Sequence, residues 1–504
     1  MNAVRTQTDR ATGRTPRPGA ALAALAAAQF TVMLATSNVN VALPQIRAGV
    51  GLSDGGTTWV VNAYGLAFGA LLLAGGRIAD LLGRRRVLLT GLALFALASL
   101  AAGLAPSAPV LIAARALQGL GAAAIAPAAL ALALDRAASG PGRGRALSVW
   151  GAVSGAGGAC GVLLGGALTQ AWGWPWIFHS VALGAGLVLA SVARFVPRSP
   201  ARDGVRSPGR NGVPSAGRFD VLGTFTVTLA LTCLVWGLTT ARGSGWADAP
   251  VLGALGATAV LLAAFVAIEL RRPDALVPAR LFAGGQVAAG NLLTALLGSV
   301  WIALFFFLPL YQQQVLGYGP LATGAGQLPL AAANMLGASL APRLARRLGA
   351  RTAVVAGLLT EAAGLLWLSR ISADGSYLAD LLGPCVLIGL GLGIAFVQLT
   401  ALAVDGVPGK DAGLAGGLVN ATRQVGGAIG LAALATLAGS VTAHAATRQA
   451  HLEALTTGYR AAFAVSAAVL AATAALTPLL TRRTGTRTAT PAAQPAPEPR
   501  TSTV

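Results

Sequence analysis

Charge is what this sequence has least of. Only 10% of its 504 residues are charged while 55% are hydrophobic, and mean hydropathy is +0.69. A soluble domain carries roughly a quarter charged residues, so a water-soluble globular fold is excluded. Acids are the scarcer sign, with 16 Asp and Glu against 36 Lys and Arg, and Lys410 is the sole lysine. Cysteine and histidine are nearly missing, at three each. Cys160, Cys233 and Cys385 fall inside apolar runs, where a thiol behaves as a small hydrophobe, and no pair of them has metal-ligand spacing. No nucleophile–base pair, metal cluster or phosphate loop is present, which argues against an enzyme and calls for no cofactor. The net charge of +20 would suit nucleic acid, but the bases lie in short loops between apolar runs. A positive-inside bias explains them completely, and no nucleic-acid partner is expected.

Long apolar runs are what the chain has instead. A run of about 20 residues crosses a bilayer as a helix, because no water satisfies the backbone in hydrocarbon. Spans are predicted near 20–43, 58–79, 87–105, 109–133, 146–168, 176–196, 220–240, 250–270, 287–310, 320–341, 352–369, 378–403, 412–436 and 459–480. That makes an all-α polytopic membrane protein with about fourteen transmembrane helices. Residues 1–19 read as a disordered basic leader, and the first apolar run is too long for a signal peptide. Residues 197–218, rich in Pro, Gly, Ser and Arg, read as a basic cytoplasmic linker, and 481–504 as a disordered tail. The arginine clusters fall in alternate loops, which places those loops and both termini in the cytoplasm. Dropping one span would invert every loop after it.

The richest of these loops runs from Gly76 to Arg86 and holds Gly76, Asp80, Gly83 and Arg84 in little more than two turns. A weaker version returns at 341–351 with Arg343, Arg346, Arg347, Gly349 and Arg351. One signature used twice indicates two related halves.

Polar side chains inside the spans are the candidates for chemistry. In span one, Gln29, Met33, Thr36 and Asn40 follow i, i+4, i+7, i+11 and share a helical face; that face makes either interhelical hydrogen bonds or a cavity wall. In span four, Arg115, Gln118, Gly119 and Ala122 share a face, and Arg115 either anchors neighbouring carbonyls or is used functionally. Gly157, Gly161 and Gly165 repeat every four residues, with Gly166 beside them, and make a groove for close helix packing. Glu361, flanked by Gly357 and Gly364, is the carboxylate placed near mid-membrane. It is either paired with arginine, or protonated as a proton carrier requires, or held by a structural hydrogen bond. Span thirteen carries Gly413, Gly416, Asn420, Arg423, Gln424 and Gly427 along one stripe, and so a second buried arginine. Trp301, Phe305 and Phe306 either wall an apolar substrate or face lipid or core.

Taken together these segments resemble the major facilitator superfamily, and within it the fourteen-helix drug:proton antiporters, over residues 25–480. Gly76, Asp80, Gly83 and Arg84 fit the signature of the loop after span two. Arg115, Gln118, Gly119 and Gly121 fit that of span four, and Gly161, Gly165 and Gly166 resemble the antiporter signature of span five. Two positions depart from the pattern: Ala35 stands where an Asp usually opens the span-one signature, and Val162 stands where a Pro usually follows the glycine. The first shifts weight onto Glu361 as the proton site; the second removes an expected kink.

The resemblance implies a six-helix bundle over 20–196, two inserted helices over 219–272, and a second six-helix bundle over 286–480. It implies that the bundles rock about a midplane site and that Asp80, Arg84 and Asp135 act as a cytoplasmic gate. Glu361 and Arg115 would couple transport to protons. Thr36, Asn40, Gln118, Trp301, Phe305, Asn420, Arg423 and Gln424 would line the substrate cavity. The expected function is export of amphipathic or lipophilic compounds by a monomer in a bacterial inner membrane, in exchange for protons. A narrow exporter of a self-made metabolite or antibiotic is the alternative within transport. A non-transporting sensor or scaffold is the alternative of another class, against which stands the retained gate.

Overall fold

The computed structural model describes residues 18–136, 141–197, 220–272, 279–282, 285–405, 407, 412–446 and 450–481. The leader and linker, and the tail beyond Thr481, lie outside the described residues apart from their edges. Among the described residues all regular structure is helical. The first six long helices are α1 (Pro18–Val50), α2 (Asp54–Leu82), α3 (Arg84–Gly103), α4 (Ala108–Arg136), α5 (Pro141–Trp172) and α6 (Pro175–Phe195). A pair follows, α7 (Val221–Ser244) and α8 (Ala249–Arg271). The remainder are α9 (Gln286–Gln314), the short α10 (Pro320–Gly326), α11 (Leu328–Leu348), α12 (Ala350–Leu368), α13 (Gly383–Val404), α14 (Ala412–Ala445) and α15 (His451–Leu480).

Among the described residues, thirteen helices are long and apolar enough to cross a bilayer. The fourteenth, α11, has the length at 21 residues but carries Arg343, Arg346 and Arg347, which dilute its apolar character. The span expected over 320–341 is therefore two pieces, with Gln327 between α10 and α11. Other boundaries move outward. Span one does not stop at Pro44: α1 runs through it to Val50, as α4 runs through Pro127 and α9 through Pro309. A proline removes one backbone hydrogen bond, but in a membrane bundle neighbouring helices keep the helix continuous. The loop expected over 437–457 is largely helical, since α14 extends to Ala445 and α15 begins at His451.

The two arginine-rich loops repeat in geometry as in sequence. Gly83 ends α2 at φ 97° and Gly349 ends α11 at φ 87°, a conformation that strains any residue with a Cβ. Each reverses the chain within one residue between two long helices.

Helices α1 to α6 pack on one another, α1 chiefly on α5 and α6, α4 on α2 and α3. Helices α9 to α15 form a second group, joined through α9–α14, α11–α13, α12–α13 and α12–α15, with the short α10 leading into α11 and reaching across to α5. The pair α7–α8 is attached through α7, which lies against α2 and α14. Asp220 fixes that pair: it caps α7 by accepting from the Gly223 amide at 2.9 Å and binds Arg272, just past α8, at 2.8 Å. Large apolar side chains point outward from the bundle, among them Leu183, Leu187, Val260 and Leu270, as a lipid-facing surface requires.

The two groups meet along α2–α14 and at the end where α1 finishes. There Gln313 Nε2 donates to the Val41 carbonyl at 2.7 Å, and the Leu321 amide donates to Gln170 Oε1 at 3.1 Å. Farther along, Asn62 Nδ2 donates to the Ala428 carbonyl at 3.3 Å.

Candidate functional site

Arg115 is held between α2 and α4 with 1% of its surface exposed. Its Nε donates to the Val60 carbonyl at 3.0 Å and its Nη1 to Gln118 Oε1 at 2.6 Å. The guanidinium also sits 4.4 Å from the centre of the Tyr64 ring. Gln118 is fully buried and passes the chain on, donating to Ser99 Oγ at 2.7 Å. Gln118 therefore does not wall a cavity, contrary to expectation: its i, i+3 spacing with Arg115 turns it into the α3–α4 contact. No carboxylate of the described residues pairs with Arg115, so the carbonyl-anchoring reading describes its contacts in this conformation. Tyr64 closes the site from the α2 side. It ties the arginine to α1, receiving a hydrogen bond from Thr36 Oγ1 at 3.1 Å.

Arg423 on α14 is placed differently. The residue as a whole is half-buried, and its guanidinium lies 4.8 Å from the Trp301 ring centre and 5.3 Å from that of Phe396. The two rings meet edge to face at 5.3 Å. Nη2 donates to Asn420 Oδ1, three residues earlier, at 2.7 Å, while the buried Nε has no acceptor. Each cation–π contact contributes about 0.5–2 kcal/mol, whereas taking a charge out of water costs several kcal/mol. The protein's own groups compensate this cation only in part. Phe396 is the sole aromatic of α13, the one sequence signal that could have drawn it into the site. Phe305, half-buried one turn beyond Trp301, packs on the same apolar core. Gln424 is buried in the seam, its Cβ facing Gly69 of α2, and does not face open space as a wall residue would.

Glu361 on α12 is 0% exposed, and neither carboxylate oxygen has a hydrogen-bond partner. Leu358, Ala362, Leu365, Leu392 and Ala395 belong to the apolar core around it. Gly391 of α13 packs directly on its backbone, where a Cβ would collide with the Glu361 amide. Of the three alternatives for Glu361, neither an arginine partner nor a structural hydrogen bond is found in this conformation: Arg115 and Arg423 are each held by neutral groups, and Glu361 is sealed within the second group of helices. Neither Glu361 nor Arg115 borders an open passage in this conformation.

The span-one face divides among several neighbours. Gln29 Nε2 donates to Ser154 Oγ on α5 at 3.0 Å. Asn40 is buried with its Oδ1 unpartnered, and Thr36 also bonds back to the Val32 carbonyl at 2.8 Å. The glycines divide as well. Gly157 faces Phe30 and Met33, Gly161 faces Leu34 and Ser37, and Gly165 faces Asn38, all on α1. Gly166 instead faces Pro320 and Leu321 of α10, in the other group.

The loop residues come together at the opposite end. Arg84 binds Asp80 at 2.9 Å and Asp135 at 2.6 Å, with all three side chains at least one-third exposed. Gly76, half-buried on α2, lies beside Pro127 of α4, and Gly83 supplies the reversal that points Arg84 back at both acids. The triad lies within α2, α3 and α4 and does not bridge the two groups in this conformation. Exposed ion pairs add little stability, so its removal should touch kinetics more than folding. Asp80→Asn and Arg84→Ala are expected to slow turnover while leaving substrate affinity nearly intact, as initial rates and saturation curves in vesicles would read. Unchanged turnover in both removes the gate role.

A model of the Major Facilitator Superfamily matches residues 25–431. The chain is 41% identical over 436 residues to the cephamycin export protein CmcT of Amycolatopsis lactamdurans, covering 86% of this chain and 88% of that protein. It is 39% identical over 474 residues to the puromycin resistance protein pur8 of Streptomyces alboniger, covering 92% and 91%. Among solved structures, an auto-inhibited peptide transporter of the POT family superposes with a TM-score of 0.66 at 17% identity, covering 92% of this chain and 97% of that one. At that identity the likeness is one of fold.

Proposed function

Since the chain belongs to the major facilitator superfamily and is a multi-pass transporter, not an enzyme, we propose that it exports amphipathic drugs or antibiotics in exchange for protons. The relatives named for cephamycin export and puromycin resistance support the export direction. Glu361 carries the proton part of the reading: a carboxyl group sunk in an apolar core with both oxygens unpartnered is stable there with its proton on. It gives that proton up only where a rearrangement brings water or a cation to it. Positive-inside topology puts both termini in the cytoplasm of a bacterial plasma membrane and makes the joined α1–α9 and α5–α10 ends the outer side. The bundles then rock about the α2–α14 seam, loading Glu361 from outside and discharging it inside, in alternation with substrate, within one monomer.

The test is transport in proteoliposomes under an imposed pH gradient, against a panel of cationic, neutral and anionic compounds. Uphill movement that stops when the gradient is collapsed is expected. Gradient-independent flux for every transported compound would remove protons from the cycle. Ala35, in the place of a cavity acid, and a relative named for one compound favour a narrow range of substrates over a broad one. The breadth of the panel that moves decides between them.

A further inference from the structure

The polarity of the site points to a substrate class. We propose that Arg423, Trp301 and Phe396 form an anion subsite and that the exported compound is an organic anion with an aromatic or planar body. The inference rests on the transport reading above and deepens it. Arg423 is a cation inside the bundle held by one neutral amide oxygen and two ring faces, with Nε lacking any acceptor. Among the described residues no acid pairs with it, and Arg423 stands about 17 Å along α14 from Ala412, at ~1.5 Å per residue. Arg115 is a poorer candidate, because a carbonyl and Gln118 occupy its Nε and Nη1 and its surface is closed. Glu361 is sealed in the apolar core of the second group, and neither of its oxygens bonds to Arg423. A carboxylate or similar anion arriving with the substrate would accept from the fork of Arg423, and the half-buried Trp301 and Phe396 would hold its flat part. An inorganic ion would use the first feature and not the second.

Equilibrium dialysis of the purified full-length protein in detergent reads this directly, using 2-naphthoate, 2-naphthamide, 2-naphthylmethylamine and acetate as probes. Wild-type protein is expected to bind naphthoate about tenfold or more tighter than the neutral amide, the amine or acetate. Arg423→Gln should erase the advantage over the amide, Arg423→Lys should keep part of it, and Trp301→Leu should weaken naphthoate and leave acetate unchanged. Equal or tighter binding of the amide or amine by wild-type protein overturns the proposal, as does the absence of saturable naphthoate binding; neither result depends on a variant folding. Naphthoate binding no tighter than acetate overturns the aromatic part. The readout is independent of proton coupling. Anion preference with no gradient-driven export would therefore sink the proton-exchange reading alone, and gradient-driven export of neutral compounds alone would sink this one.

Discussion

Glu361→Gln should reduce pH-driven export in everted vesicles to the background of vesicles without the protein. Glutamine keeps the size and polarity of a protonated glutamate but cannot release a proton. Because the carboxylate oxygens of Glu361 accept no hydrogen bond in the folded chain, the exchange removes no existing contact, and the variant should fold. The packing of Gly391 against the backbone at 361 is untouched as well. Loss of coupling with normal expression is thus the expected pair of results, and Glu361→Asp should recover part of the rate, since the proton returns on a shorter arm. Full-rate export by the Gln variant that still dissipates the pH gradient would show that another group carries the proton.

The second large effect concerns the α1–α5 contact. A Cβ at Gly161 would strike Ser37 Oγ and the Leu34 carbonyl, and the carbonyl belongs to a helix backbone that cannot move aside alone. Gly161→Leu therefore forces α5 off α1 along the stripe that Gly157 and Gly165 also use. Overpacking of this kind costs about 1–3 kcal/mol and occasionally more, and the Gly161→Leu protein should fail to elute as a single species in detergent. Gly166→Leu is a matched control, because its neighbour is the Pro320 carbonyl of α10 in the other group of helices. That variant should fold and elute normally yet lose transport, since it wedges apart two groups that have to close. A Gly161→Leu protein as stable and active as wild type would mean that α1 and α5 do not pack through these glycines.

Helical periodicity made much of this legible. The spacing of Gly157, Gly161 and Gly165 located a packing face, and the structure supplies its partner. The scarcity of carboxylates singled out Glu361, and the burial of that side chain follows from the apolar residues around it in sequence. Periodicity could not say that Gly166, one residue on, serves a different neighbour. A step of one residue turns the helix by about 100°, and the sequence carries no label for what lies there.

What the sequence determined by itself is the membrane class, the span count to within the broken α10–α11 segment, the repeat of the arginine-rich loop and the positions of the polar residues inside the spans. Hydrocarbon imposes those features locally, through span length, helix period and loop charge, and each is written within some twenty residues. What only the tertiary structure decided is the environment of each buried ionisable group: Arg115 closed in by Val60, Gln118 and Tyr64, Arg423 set between Trp301 and Phe396 with its Nε unpartnered, Glu361 without a hydrogen bond. The ring partners come from other helices, far away in the chain. Whether a buried ion is compensated depends on which helices meet, and that is settled by packing across the whole bundle.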